Sequence, residues 1–280
     1  MFKIYLPSHW DISKQDLLIL YKKLSPNNTG IWNNIQLTSN IDDCDFVLIL
    51  DSCNEDIPLD KKVIFFGREP TAVRYFDYKK SNLHLSFHHE HGETWLPQCW
   101  WLSHSYDDLV NLEFKSLDKN KNLSAIDSGK KSLLNHKLRV HTIQNFKNKY
   151  PELIDVYGFI NNNPLPPRSK EDGLLNYRYN LCFENCNTDF YFSEKIVDPL
   201  LCWTMPIYYG CNNISKFFPK GSFVQIDPND SNCIEQIHEI VNSNFFEDNI
   251  DNIREARELI LTQYNLLPTI YRAVNTGKVL

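Results

Sequence analysis

The chain has 280 residues, of which 42% are hydrophobic, 13% aromatic and 23% charged, and its formal net charge is -6. That length can bury a large core, as one big domain or two of ordinary size, and the composition is that of a folded protein. The negative balance argues against general affinity for nucleic acid or anionic lipid, so any anionic ligand must be held by a few placed cations.

The predicted elements alternate along the chain. Residues 2–6 read as a strand and make too short an apolar run for a secretory signal. No stretch reaches the length needed to span a bilayer, so a soluble, cytoplasmic protein is expected. Ser13 opens a helix with Asp16 as its capping partner, and Leu17, Leu18, Leu20, Tyr21 and Leu24 form the apolar face. Residues 46–50 (FVLIL) and 63–66 (VIFF) are continuous apolar runs, the pattern of parallel strands covered on both faces. Residues 87–102 turn loop-like and aromatic, and residues 107–122, ending LEFKSLDKNKN, are polar enough for a linker.

A second series follows, with strands at 123–126, 153–159, 177–183, 206–209 and 223–226. Helices are expected over 131–150, from Ser193, and in the tail from Asp230. Two β/α series of this kind imply two doubly wound domains, 1–115 and 116–262, facing a cleft, with a helical tail at 263–280. In such sheets ligands bind at the carboxyl ends of strands, near helix N-termini. The eight cysteines form no CxxC pair and several sit in apolar runs, so they read as reduced and structural.

The sequence FENCNTDFYFSEK, residues 183–195, lies between an expected strand and an expected helix. Ser193 is a candidate N-cap, which puts Glu194 and Lys195 in the first helical turn. The positive end of the helix dipole and the Lys195 ammonium both favour an anion there. Glu194 can accept hydrogen bonds from hydroxyls, while Asn185 and Tyr191 can donate and accept. A diphosphate with sugars on either side fits this inventory. A capped helix with a solvated Glu–Lys pair fits the spacing equally well.

Residues 177–227 resemble the donor-binding region of the α1,3/4-fucosyltransferase family. The shared pattern is Phe183-Glu184-Asn185, a short loop, Tyr191, then Ser193-Glu194-Lys195. The Pro206 to Gly210 strand and the Phe217-Phe218-Pro219-Lys220-Gly221-Ser222-Phe223 element follow. Residues 123–146 resemble the family's strand and Arg-containing helix, which puts Arg139 at the position that contacts the donor diphosphate. The resemblance implies a GT-B fold and inverting transfer of L-fucose from GDP-L-fucose to a glycan hydroxyl, with no metal cofactor required. It implies donor contacts from Arg139, Asn185, Tyr191, Glu194 and Lys195. It also places the catalytic base at Glu69, in FGREP after a buried strand, where a carboxylate can take the acceptor hydroxyl's proton. Fixed cations aimed at the leaving diphosphate would lower the barrier. The chain lacks the N-terminal anchor and stem of the animal Golgi members, so a soluble bacterial or viral type is expected.

Several features depart from that pattern or compete with it. Pro199 falls inside the expected donor-site helix, and Asp198-Pro199 is a candidate restart of that helix. Asp43-Cys44-Asp45 precedes its strand, the wrong end for a metal-binding DxD. The run His88-His89-Glu90-His91-Gly92-Glu93 offers alternate residues to zinc and would make a hydrolase. Under the transferase reading His89, Trp95, Trp100 and Trp101 line the acceptor side. Other readings are a transferase using a different nucleotide sugar, or a nucleotide-sugar or glycan-binding protein of the same fold.

Overall fold

The computed structural model describes residues 1–8, 12–70, 78–88 and 99–279. It divides into two units: residues 1–99, 104–110 and 261–280 form the first, and residues 100–103 and 111–260 the second.

The first unit is built on six strands: β1 (Phe2–Tyr5), β2 (Ile31–Trp32), β3 (Ile35–Thr38), β4 (Phe46–Leu50), β5 (Lys62–Gly67) and β6 (Leu83–His88). They lie in the order β2-β3-β1-β4-β5-β6, all parallel except the short β2–β3 pair. Every residue of β4 is buried, and so are five of the six in β5, as their apolar runs require of strands covered on both faces. Helix α1 (Lys14–Lys22) starts as expected, with the Ser13 side chain accepting from the Asp16 N–H. Its buried face is narrower than the sequence pattern, with Leu17, Tyr21 and Leu24 buried while Leu18 and Leu20 stay half-open. Helix α2 (Tyr106–Asn111) occupies the start of the segment expected as a linker. That segment is structured because Leu109 is fully buried and the Trp203 indole N–H donates to the Leu112 carbonyl.

The second unit holds strands β7 (Lys121–Asp127), β8 (Ile154–Gly158), β9 (Tyr177–Phe183), β10 (Met205–Tyr209) and β11 (Val224–Gln225), with helices α3 (Leu134–Lys149), α4 (Glu194–Leu201), α5 (Cys233–Val241), α6 (Phe245–Asp248) and α7 (Ile250–Leu259). The order is β11-β10-β9-β7-β8, parallel throughout. A final helix, α8 (Leu266–Thr276), returns to the first unit, where Asn265 at its start donates to the Leu24 carbonyl at 2.7 Å. Taking the parallel strands of each unit in chain order, both sheets have the same arrangement, with the first strand between the second and third. Among the described residues no helix is long and apolar enough to cross a membrane.

Helix α4 runs unbroken through Pro199 rather than restarting there. The proline removes one helical N–H, at a cost of about 3 kcal/mol in an ordinary helix interior. Around it Ile196, Val197, Leu200 and Leu201 are fully buried, and the Pro199 carbonyl accepts from the Cys202 and Thr204 N–H groups at 3.0 and 2.9 Å. Asp198 caps nothing: its side chain is buried and turned to other partners. The far end of α4 is tied down by Lys119. Its ammonium donates to the carbonyls of Leu174, Tyr177 and Cys202 and to the Thr204 hydroxyl, at 2.8 to 3.3 Å.

Replacing Lys119 by Met would remove the buried donor that these oxygens share, so Lys119→Met is expected to cost about 2–3 kcal/mol of stability. Urea denaturation should show this as a lower midpoint with an unchanged slope; an unchanged midpoint would show that the ammonium ties nothing.

Candidate active site

In the second unit β8 lies on one side of β7, while β9, β10 and β11 follow on the other. The switch point is therefore between β7 and β9, and the loops leaving these strands diverge there to form a crevice at the carboxyl ends. The loop from β7 leads into α3. The loop from β9 is the FENCNTDFYFSEK stretch and leads into α4.

What holds that loop is Glu184, the first residue beyond β9 and fully buried. Its Oε1 accepts from the Ser193 N–H at 2.8 Å and its Oε2 from the Ser193 hydroxyl at 2.6 Å. Ser193 in turn caps α4, its oxygen accepting from the Lys195 N–H at 3.3 Å. The Tyr208 hydroxyl accepts from the Cys211 N–H at 3.0 Å and reaches Glu184 at 3.4 Å. Burial pushes the Glu184 carboxyl up, against the pull of Lys195 and the Ser193 hydrogen bonds. Gly210 completes the latch. A Cβ there would lie 2.4 Å from Glu184 Cγ and 2.6 Å from the Tyr208 hydroxyl, so only glycine leaves room for the carboxylate.

The latch fixes the first turn of α4. The Lys195 ammonium lies 3.2 Å from Glu194 Oε1 and 3.1 Å from the Ser193 hydroxyl, with Glu184 at 3.8 Å. A second ammonium, that of Lys170, reaches the same Glu194 oxygen at 3.8 Å and Asp198 Oδ2 at 2.8 Å. Burial would raise the Glu194 carboxyl, but Lys195 and Lys170 outweigh it and hold it down to about 2. Asp198 goes the other way, pushed up to about 6 by burial against the pull of Lys170. Glu194 is thus a charged acceptor, with its Oε2 uncommitted to any neighbouring side chain among the described residues.

Across the switch point, the His136 ring nitrogen Nε2 and Asn185 Oδ1 are 3.0 Å apart, and Asn135 donates to Asn187 Oδ1 at 2.7 Å. Burial pushes the His136 imidazole down, toward its neutral form. Arg139, one turn further along α3, is buried and pairs with Asp127 at the end of β7, at 2.6 Å. Its Nε lies shut off from solvent and meets no acceptor among the described residues. Tyr191, within the loop, is buried at 4% exposure. The structure therefore puts Asn185 and Tyr191 on the β9–α4 loop, Glu194 and Lys195 in the first turn of α4, and Arg139 on α3. Lys170 and Asp198 were missed by the sequence reading. Their only signal was a lysine and an aspartate near a motif, and no periodicity links positions so far apart.

In the first unit Glu69 follows β5. Asp51, in a left-handed conformation (φ 62°) after β4, receives the N–H groups of both Arg68 and Glu69, the latter at 3.0 Å. The Arg68 guanidinium is engaged by the same carboxylate at 2.9 Å. Glu69 is therefore presented at the carboxyl end of a buried strand by a carboxylate that fixes its backbone. His88 is buried, near Ser86 at 3.1 Å and packed on Phe65. His89, Glu90, His91 and Trp95 lie outside the described residues. Trp100 is buried at 3% exposure, whereas Trp101 keeps 37% of its surface open. Among the described residues no group of three or more His, Cys, Asp or Glu could hold a metal ion.

Residues 118–243 match the model of the C-terminal domain of glycosyltransferase family 10 (fucosyltransferase). Over that span the chain is similar to the fucosyltransferase family. An α-(1,3)-fucosyltransferase from Helicobacter pylori is 41% identical over 59 residues, 21% of this chain and 12% of the relative. GDP-fucose protein O-fucosyltransferase 3 of Danio rerio is 33% identical over 89 residues, 28% of this chain and 19% of the relative. The match thus spans less than a fifth of either curated relative. Among solved structures, an α1,3-fucosyltransferase with GDP-fucose has a TM-score of 0.54 at 19% identity, covering 94% of this chain and 92% of that one. HepE of Anabaena, with UDP and glucose, has a TM-score of 0.57 at 8% identity, covering 99% and 100%. At these identities the likeness is one of fold, and the fold is GT-B.

Two outcomes follow from this family site. Gly210→Ala should displace Glu184, uncap α4 and lower the melting temperature by about 5 °C; an unchanged melting temperature would refute the latch. Glu194 has a depressed pKa, so the stability it contributes is complete above about pH 4.5 and is lost as pH falls toward 2. The difference in unfolding free energy between the protein and its Glu194→Gln variant should shrink over that window, and a constant difference would contradict the lysine clamp.

Proposed function

We propose that the chain is an inverting glycosyltransferase that moves L-fucose from GDP-L-fucose to a hydroxyl of a glycan acceptor. The observation that carries this reading is the first turn of α4, where Lys195 and the helix N-terminus stand at the switch point of a fucosyltransferase-family domain. A diphosphate suits that position, because the helix dipole and a fixed ammonium both stabilise negative charge. Arg139, on the helix across the switch point, adds a second fixed cation near the same crevice. Glu194 supplies an ionised acceptor for sugar hydroxyls, and Asn185, oriented by His136, a polar group on the same loop. Tyr191, buried within the loop, supports it.

Glu69 is the proposed base. As the acceptor oxygen attacks the anomeric carbon, the bond to the diphosphate breaks and Glu69 takes the hydroxyl proton. The negative charge that gathers on the leaving GDP is met by Lys195 and the helix terminus. No step requires a metal. Trp100, as a buried residue, would act on the acceptor side only by supporting its neighbours.

The likeness to protein O-fucosyltransferase 3 of Danio rerio favours a second acceptor class, a hydroxyl on a polypeptide, with the same donor.

Thermal unfolding with GDP-L-fucose, GDP-mannose and UDP-galactose tests the donor. A ligand at 100 times its dissociation constant adds about 2.7 kcal/mol, and the shift should be largest for GDP-L-fucose and unaffected by EDTA. Lys195→Met should weaken donor binding by about tenfold or more. Glu69→Gln should keep donor binding and lose turnover. A shift confined to UDP-galactose, or turnover that survives Glu69→Gln, would overturn the corresponding assignment.

A further inference from the structure

Lys170 belongs to no part of the motif, yet it is the hub of the charges behind it. It leaves the segment before β9 and reaches α4, where its ammonium bonds Asp198 Oδ2 at 2.8 Å and lies 3.8 Å from Glu194 Oε1. Asp198 is fully buried, and its other oxygen accepts from the Trp101 N–H at 3.0 Å. The Lys170 ammonium also sits 5.9 Å from the centre of the Trp101 ring, with the Arg168 guanidinium at 5.8 Å. One lysine therefore joins three stretches distant in sequence: its own, the first turns of α4, and the exposed Trp101.

The charges around Glu194 make this arrangement more than a tie. Facing the cluster are Lys195 and Asp198 from its own helix, Glu184 from the end of β9, and Lys170. Without Lys170, three carboxylates would share the single ammonium of Lys195, and two of them, Glu184 and Asp198, are fully buried. Charge in a buried setting is held only when paired, so the carboxylates would take up protons or Lys195 would be drawn away from where it stands. We infer that Lys170 is a positioning residue: it neutralises buried Asp198 and clamps one oxygen of Glu194, so that the other oxygen and the Lys195 ammonium keep their places for a nucleotide sugar, and it fixes Trp101 beside that cluster. This rests on the donor-binding reading above.

The test measures GDP and GDP-L-fucose affinity by calorimetry, and the donor KM and kcat, for the unaltered protein and for Lys170→Met, Lys170→Arg and Asp198→Asn. Lys170→Met should weaken binding of both ligands about tenfold and raise the donor KM by a similar factor. Lys170→Arg should restore most of the loss, since a guanidinium keeps the charge. Asp198→Asn, which keeps the acceptor for the Trp101 N–H but removes the buried charge, should weaken binding less. The pH below which GDP affinity fades should also rise by about one unit in Lys170→Met, because Glu194 loses one of its two cations. A purely structural lysine would lower the melting temperature and leave both the affinity of the folded protein and its pH midpoint in place, which would overturn the inference. If the unaltered protein binds neither GDP nor GDP-L-fucose, the donor-site reading itself fails and the inference falls with it. If it binds them and Lys170→Met binds them equally, only the inference fails.

Discussion

The geometry of the candidate site depends on one buried carboxylate. Glu184 receives both the N–H and the hydroxyl of Ser193, and those two bonds decide where α4 begins and which way its first turn faces. Hydrogen bonds to a charged acceptor contribute about 1.5–3 kcal/mol each, enough to hold a loop that carries little regular structure of its own. The constraint reaches across the sheet. Tyr208 lends a hydroxyl from β10, and Gly210 is confined to glycine by the space the carboxylate occupies. Three pieces of the family pattern, Phe-Glu-Asn, Ser-Glu-Lys and the Tyr-Gly that ends β10, thus form one physical object.

Around that latch the chain solves the problem its composition poses. To hold the diphosphate proposed here, an acidic protein must concentrate its cations, and must do so beside carboxylates it needs for other purposes. Here two ammoniums, Lys170 and Lys195, serve three carboxylates, and the imbalance shows in the directions their pKa values take: Glu194 is held down, while Glu184 and Asp198 are pushed up by burial. Arg139 balances Asp127 on the other side of the switch point. Each cation is partly spent on the protein itself, so a ligand would complete a network rather than meet isolated charges.

Much of the architecture was legible in the sequence because it rests on local signals. The apolar runs of β4 and β5, the Ser13 and Ser193 caps and the bounds of β9 follow from burial on both faces and from capping chemistry. The short antiparallel β2–β3 pair escaped notice, because strands of two and four residues leave no periodic trace. The polar stretch expected as a linker begins with a short helix, anchored by its one buried side chain, Leu109. Asp198-Pro199 was a candidate restart of α4, but a helix buried around the proline and anchored at both ends absorbs the lost bond. In the site, the loop and its polar residues could be read from spacing, whereas their partners could not. Lys170, His136 and Asp127 meet the motif only through the fold.

The most direct test of the donor-site assignment is a crystal structure of the protein with GDP-L-fucose. The diphosphate should lie against the first turn of α4 within reach of Lys195, with a sugar hydroxyl on Glu194 and the Glu184–Ser193 bonds intact. A diphosphate bound away from the β7–β9 switch point, or one that reaches neither Lys195 nor Glu194, would contradict it.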